Sequence, residues 1–273
     1  MTRDPPKIAT LPMYDFPEIA AATDALWRLI ARRLREAGVD RVPETLVRSS
    51  DLSALWQDED LLLGQTCGYP LMKMLGQRVK LIATPIYAAE GCAGAWHRSA
   101  VIVRRECGFQ NLADLRGRVC ALNSRDSNTG MNLLRAAIAP LSGGRPFFKN
   151  VLVTGNHAAS LAAVAGGEAE VAAVDCVSFA LISRLRPESV AGLCRLAWTE
   201  PTPGLPLVTS SRTDARTIKK LHAALDAVSC DLAAGSLRTT LLLGGFQVLP
   251  DDAYHRVIEL EHAAARIGYA ALE

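Results

Sequence analysis

The chain has 273 residues, 49% of them hydrophobic and 21% charged, with a net charge of +2. It is long enough for one large or two medium domains and apolar enough to bury a full core, which excludes a disordered chain. The near-neutral charge offers no electrostatic case for nucleic acid, and the apolar runs are strand-sized rather than membrane-spanning.

The first segment, Met1 to Lys7, lacks an apolar leader core, so the chain as written reads as cytoplasmic, or periplasmic if a leader precedes it. Ile8–Leu11 reads as a buried strand, and Pro12–Asp15 as a loop carrying Tyr14. Residues 17–37 carry the clearest helical stripe, Ile19, Ala22, Leu26, Leu29, Ile30 and Leu34, closed by Gly38. Thr45–Arg48 reads as a short strand, and Asp51 as the cap of a short helix to Gln57. Asp60–Gly64 is a further strand, with Gln65 and Tyr69 in the polar turn after it. A short helix to Leu75 and a strand Val79–Ala83 follow. Alternating strands and helices imply a parallel sheet covered by helices.

The pattern restarts with the strand Ala100–Val103, preceded by Ser99 at the crossover. Val119–Leu122 is a strand that runs into Asn123-Ser124-Arg125-Asp126-Ser127-Asn128-Thr129-Gly130 and then a helix from Met131. Ser127 can cap that helix, Gly130 allows close backbone approach, and the first-turn amides with the hydroxyls of Ser127 and Thr129 suit an oxyanion. The same residues also read as a well-capped helix start without a ligand. Phe147–Val153 is a strand region, and Thr154–His157 opens a helix to about Val164. Val171–Asp175 is a strand ending in an acid, with a helix after it. Leu193–Trp198 and Leu207–Thr209 are extended, and 213–273 reads as mostly helical with a break at 244–247.

Two α/β units follow from this order, the second inserted in the first. The expected layout is a first lobe of 1–97, an inserted lobe of 98–198 and a return of 199–273. Gln65, Tyr69, Ser127, Thr129, His157 and Asp175 all fall at carboxyl ends of predicted strands, where open α/β sheets bind ligands. His157 offers an imidazole hydrogen bond to an anion. Asp175 either caps the next helix, takes a proton from a ligand oxygen, or orients His157. Tyr14, Tyr69 and Tyr87 either close over a ligand or are ordinary half-buried tyrosines. The seven cysteines are odd in number and never in CxxC spacing, so most read as reduced core residues. No metal and no cofactor is expected. No recognised catalytic motif occurs, and no catalytic residue is expected.

Together these stretches resemble the substrate-binding components of phosphate, phosphite and phosphonate ABC transporters, from Ile8 to about Leu249. Ser127-Asn128-Thr129-Gly130 is similar to that family's Ser-Thr-Ser-Gly turn. Thr154-Gly155-Asn156-His157 is similar to its Gly-His helix start, Val171–Asp175 to the strand before its second binding residue, and Gly204-Leu205-Pro206 to its Pro-Gly-Asp-Pro loop. The resemblance implies an α/β fold of the two-lobed type II periplasmic-binding-protein kind, each lobe a mixed sheet flanked by helices, with a ligand cleft between lobes. It implies a small oxyanion held by Ser127, Asn128, Thr129, Gly130, His157 and Asp175, and an ABC permease as partner; Gln65, Tyr69, Tyr14 and Ser99 join the expected ligand-binding set from their places after strands and at the crossover. Members that bind aminoalkylphosphonates carry acids where this chain has Val177 and Leu205, so phosphate, phosphite or an alkylphosphonate is expected over an aminophosphonate. The alternatives are an enzyme on the same scaffold using His157 and Asp175 as acid–base groups, and a sensor related to the effector lobes of transcription regulators.

Overall fold

The apolar runs Leu61–Leu63, Ala100–Val103, Cys120–Leu122 and Val171–Val174 are fully buried and form the centres of two five-stranded sheets. Each fully buried Leu or Val contributes about 1.5–3 kcal/mol relative to exposure. In this computed structural model, residues 5–250 and 252–273 are described. The expectation for the first residues, up to Asp4, lies outside them. The chain divides into two compact units, Met1–Ala88 with Gly204–Asp251, and Ala89–Pro203 with Asp252–Glu273.

In the first unit the strand order is Ile8–Thr10, Leu61–Gln65, Leu207–Ser210, Val79–Tyr87, Leu243–Gln247. Ile8–Thr10 and Leu61–Gln65 are parallel, whereas the return strand Leu207–Ser210 enters between Leu61–Gln65 and Val79–Tyr87 and is antiparallel to both. The sheet is therefore mixed, as the family resemblance implies, and not the parallel sheet that alternation alone suggests. Helix Ala20–Glu36 buries Leu26, Trp27, Ile30, Ala31 and Leu34 along one stripe. Gly38, at φ 68°, ends it by letting the Val39 amide donate to the Leu34 carbonyl. Thr45–Arg48 is not a strand: it makes one backbone bond to the first strand, Val47 N–H to the Ala9 carbonyl. The break at 244–247 is an edge strand, and Gly245 lies where its register slips against Val79–Tyr87.

In the second unit the order is Leu193–Trp198, Ser99–Arg104, Val171–Asp175, Val119–Leu122, Asn150–Val153. The last three are mutually parallel, and Ser99–Arg104 runs antiparallel beside Val171–Asp175. A small antiparallel sheet adds Cys92–Ala93, Trp96–His97 and Thr202–Pro203. Because that sheet ties 92–97 to 202–203, the unit begins and ends outside the breaks expected near Trp96 and Trp198.

The C-terminal segment departs from the expected layout. Helix His255–Arg266 packs on helix Leu133–Ser142 of the second unit instead of returning to the first. A buried polar chain holds it there: Asn132 Nδ2 donates to the Val257 carbonyl, and Arg135 Nη1 to the Ala270 carbonyl at 2.8 Å. The amphipathic stripe of that helix names the face to be buried but not the partner, so sequence order alone misassigns it.

Candidate functional site

Three parallel strands side by side deliver their carboxyl ends to one edge of the second sheet, and this is why residues far apart in sequence meet there. Val119–Leu122 leads to Ser127, which takes the N-cap position with extended backbone, φ −80° and ψ 130°. Its hydroxyl oxygen accepts from the Gly130 amide at 2.9 Å, and its carbonyl accepts from the Asn132 amide, giving a widened first turn over Asn128–Asn132. First-turn amides have no carbonyl one turn back, so such a helix start presents donors and a positive dipole end.

Thr129 is buried, with Oγ1 3.2 Å from His157 Nε2. Its carbonyl accepts from the Ser99 hydroxyl at 2.7 Å, so Ser99, buried at the start of its strand, holds the turn from beneath. Asn128 is turned into the fold: Nδ2 donates to Thr202 Oγ1 and Oδ1 accepts from Asn132 Nδ2, each at 2.9 Å. Gly130 is required by proximity rather than by backbone conformation. A Cβ there would overlap Asn123 Oδ1 and come within 3.3 Å of His157 Cε1.

His157 opens helix His157–Ala165, capped by Asn156 Oδ1 accepting from the Ala159 amide. Burial holds its imidazole below the ordinary pKa of 6.5, opposed by the charge of Asp175. Its Nδ1 and the neighbouring Asn123 Oδ1 are buried without a hydrogen-bond partner, two unmet polar atoms beside Gly130. Asn123, the residue directly after the strand, is absent from the sequence-derived set. Its position at a strand's carboxyl end is the signal that would have found it.

Asp175 caps helix Cys176–Leu185, with Oδ1 accepting from the amides of Val177 and Ser178 at 3.0 and 2.9 Å. Its other oxygen lies 3.9 Å from His97 Nδ1, both side chains being almost fully buried. Burial alone would raise the Asp175 pKa, but His97 and the amide donors bring it below the ordinary carboxylate value. The structure thus pairs Asp175 with His97, while Thr129 is the hydrogen-bond partner of His157. Burial likewise opposes protonation of His97, yet Asp175 and Cys92 raise its pKa to about 9.

In the first unit, Gln65 ends its strand buried. Its Nε2 donates to the Leu205 carbonyl at 3.4 Å and to Tyr87 Oη at 3.5 Å. Tyr14 packs edge-on against Tyr87, ring centroids 4.9 Å apart. Tyr69 is buried, with the Lys73 ammonium 5.9 Å from its ring centre. Tyr14, Gln65 and Tyr87 therefore form one group, and Tyr69 makes its ring contact elsewhere. Val177 and Leu205 are both buried, 0% and 7% exposed.

The cysteines are all unbridged; Cys120 and Cys176 are buried, Cys230 is exposed and the other four are half-buried, so most are not the core residues expected. Three ligand-type residues are nevertheless brought together against the expectation from spacing: Cys92, His97 and Cys176, whose donor atoms all lie within 4.8 Å of one another.

The structure is similar to several solved proteins. A binding-protein component of a phosphonate ABC transporter from Pseudomonas aeruginosa is 17% identical with a TM-score of 0.77, covering 97% of this chain and 88% of that one. A Prochlorococcus marinus protein in complex with methylphosphonate is 15% identical with a TM-score of 0.73, covering 96% and 100%. A Xanthomonas citri protein bound to ATP is 17% identical with a TM-score of 0.71, covering 95% and 97%. At these identities the likeness carries the fold, which is the two-lobed α/β fold of periplasmic binding proteins. No relative among curated proteins matches the sequence closely enough to be recognised. The family model described as the periplasmic substrate-binding protein of phosphonate ABC transporters matches residues 8–254, and the chain belongs to that family.

Proposed function

We propose that this chain binds a small tetrahedral oxyanion, namely phosphate, phosphite or an alkylphosphonate, as the solute-binding component of an ABC-type uptake system. The observation that carries the reading is the meeting of the Ser127-capped turn with His157, through Thr129 Oγ1, beside the unmet polar atoms of Asn123 and His157. Ser127, Thr129, Gly130 and His157 form the anion site in this reading, with Ser99 and Asn128 shaping it from within. A hydroxyl or amide donated to a charged oxygen contributes about 1.5–3 kcal/mol, so a few such bonds suffice for micromolar affinity.

Retention rather than turnover is favoured by the use of Asp175. It caps a helix and faces His97, which leaves His157 without a carboxylate hydrogen-bond partner of the kind an acid–base pair needs. Family membership points to a permease partner and a periplasmic setting. Among the described residues no helix is long and apolar enough to cross a membrane.

Isothermal titration calorimetry with phosphate, phosphite and methylphosphonate tests the reading. Saturable one-to-one binding of at least one of them, with the ligand recovered unchanged, is the expected result. Absence of heat for all three, or conversion of the ligand, would refute it.

A further inference from the structure

Cys92 and His97 face each other as cross-strand partners in a hairpin closed by the two residues Gly94-Ala95, with Gly94 at φ 58°. His97 also pairs with Thr202 on its other side, so its backbone is fixed from both edges. Cys176 begins the helix that Asp175 caps, and its amide donates to the Arg98 carbonyl at 3.2 Å. The register of Ser99 opposite Asp175 is what sets the hairpin beside this helix start. The two sulfurs are 3.4 Å apart, and His97 lies between them and the carboxylate of Asp175.

We propose that Cys92, His97 and Cys176 form a binding site for a thiophilic metal ion such as Zn²⁺, with Asp175 orienting His97 from behind.

Zinc takes sulfur at about 2.3 Å and imidazole nitrogen at about 2.0–2.1 Å in tetrahedral geometry. That arrangement places donor atoms about 3.3–3.8 Å apart, so adjustments of a few tenths of an ångström seat an ion on the observed sulfur pair. A disulfide needs about 2.0 Å, a much larger approach between a hairpin and a helix start that are each pinned. The surroundings are closely packed on that side: a Cβ on Gly91 would lie 2.7 Å from the Trp198 ring and 2.9 Å from Cys176 Cβ. Two thiolates and a neutral imidazole offset a divalent charge, and the remaining negative charge of Asp175 is met by the Val177 and Ser178 amides that its Oδ1 accepts from. The second oxygen of Asp175, 3.9 Å from Nδ1, then has a role. On closing by about 1 Å it accepts the N–H that a metal-bound histidine carries on its other nitrogen, and so fixes the tautomer. A cysteine nucleophile would need only one thiol beside the histidine, whereas the second, touching thiol is what a metal site requires. Three protein ligands leave a fourth position for water or an external ligand.

The test uses the full chain, reduced and stripped with a chelator, then titrated with Zn²⁺ against a competing chelator and, separately, with Co²⁺. One zinc per chain is expected, and the cobalt form should show tetrahedral visible bands with thiolate charge-transfer absorption. Cys92→Ser and Cys176→Ser should each weaken zinc about 100-fold, and Asp175→Asn about 10-fold. Cys230→Ser, at an exposed thiol elsewhere, should change nothing. His97→Gln should lose affinity while keeping the sulfur bands. Sub-stoichiometric zinc, a cobalt spectrum without sulfur bands, or undiminished binding in the Cys92→Ser/Cys176→Ser chain would each overturn the proposal. The cobalt spectrum of the unmodified chain decides even if a variant does not fold. Methylphosphonate titration of the same preparations reports separately on the oxyanion reading.

Discussion

Thr129 Oγ1 and His157 Nε2 lie 3.2 Å apart, joining two helix starts that follow adjacent parallel strands. The contact ties a hydroxyl to an imidazole that burial keeps neutral, so either can present a donor to an anion while the other accepts. Four measurements follow from this arrangement and its neighbours.

Replacing Thr129 by Val keeps shape and removes the hydroxyl. Affinity for methylphosphonate should fall by about 1–3 kcal/mol, or roughly 5- to 150-fold, since the lost partner is charged. Calorimetry measures it, with thermal unfolding to show that the fold is intact. An unchanged Kd removes Thr129 from the site.

Acid should destabilise the unliganded protein through His157. Its folded pKa lies below the unfolded value near 6.5, so between the two the unfolded chain binds more protons and stability rises with pH. The contribution is complete above about pH 6.5 and is lost as pH falls through that window. Urea midpoints measured across it should slope upward with pH, and less steeply in His157→Asn. Equal slopes in the two proteins would show that His157 is not held neutral.

Adding a methyl at Gly130 should act on the site more than on the fold. The new Cβ displaces the Asn123 carboxamide and presses on His157. Oxyanion affinity in Gly130→Ala should fall about tenfold, or 1.4 kcal/mol, with a stability cost of about 1 kcal/mol. Removing the obstructing group in Gly130→Ala/Asn123→Ala should restore the melting temperature at least in part. A double variant less stable than Gly130→Ala would mean the overlap is not what matters.

Ligand choice should follow Val177. An ammonium placed against this buried aliphatic side chain would be desolvated without a partner. Methylphosphonate should be preferred over 2-aminoethylphosphonate by at least about 1.4 kcal/mol, a tenfold difference. Side-by-side titration measures it. An aminated ligand that binds as tightly would show that another acid, Asp175 first among them, reaches the amine.

Much of this protein follows from local sequence. The apolar runs determine the central strands, the 3.6-residue stripe determines helix Ala20–Glu36, and Gly38 ends it. Asp51, Ser127, Asn156 and Asp175 are caps because a short polar side chain sits one step before a helical run. The turn at 127–130 is legible for the same reason: its hydroxyls, its glycine and its helix start are neighbours in the chain. Tertiary structure alone decided the rest. Strand direction depends on where the chain returns, so Leu207–Ser210 came to lie antiparallel in a sheet that alternation describes as parallel. Helix His255–Arg266 needed an apolar face to cover and found it on Leu133–Ser142, a choice its own stripe does not encode. The partner of Asp175 is His97, set by the register of two strands about seventy residues apart. Likewise Cys92 and Cys176, separated by 84 positions, meet because a hairpin and a helix start close on the same sheet end. Contacts of that range are written in no local pattern, since they arise only when the two surfaces that carry them are buried together.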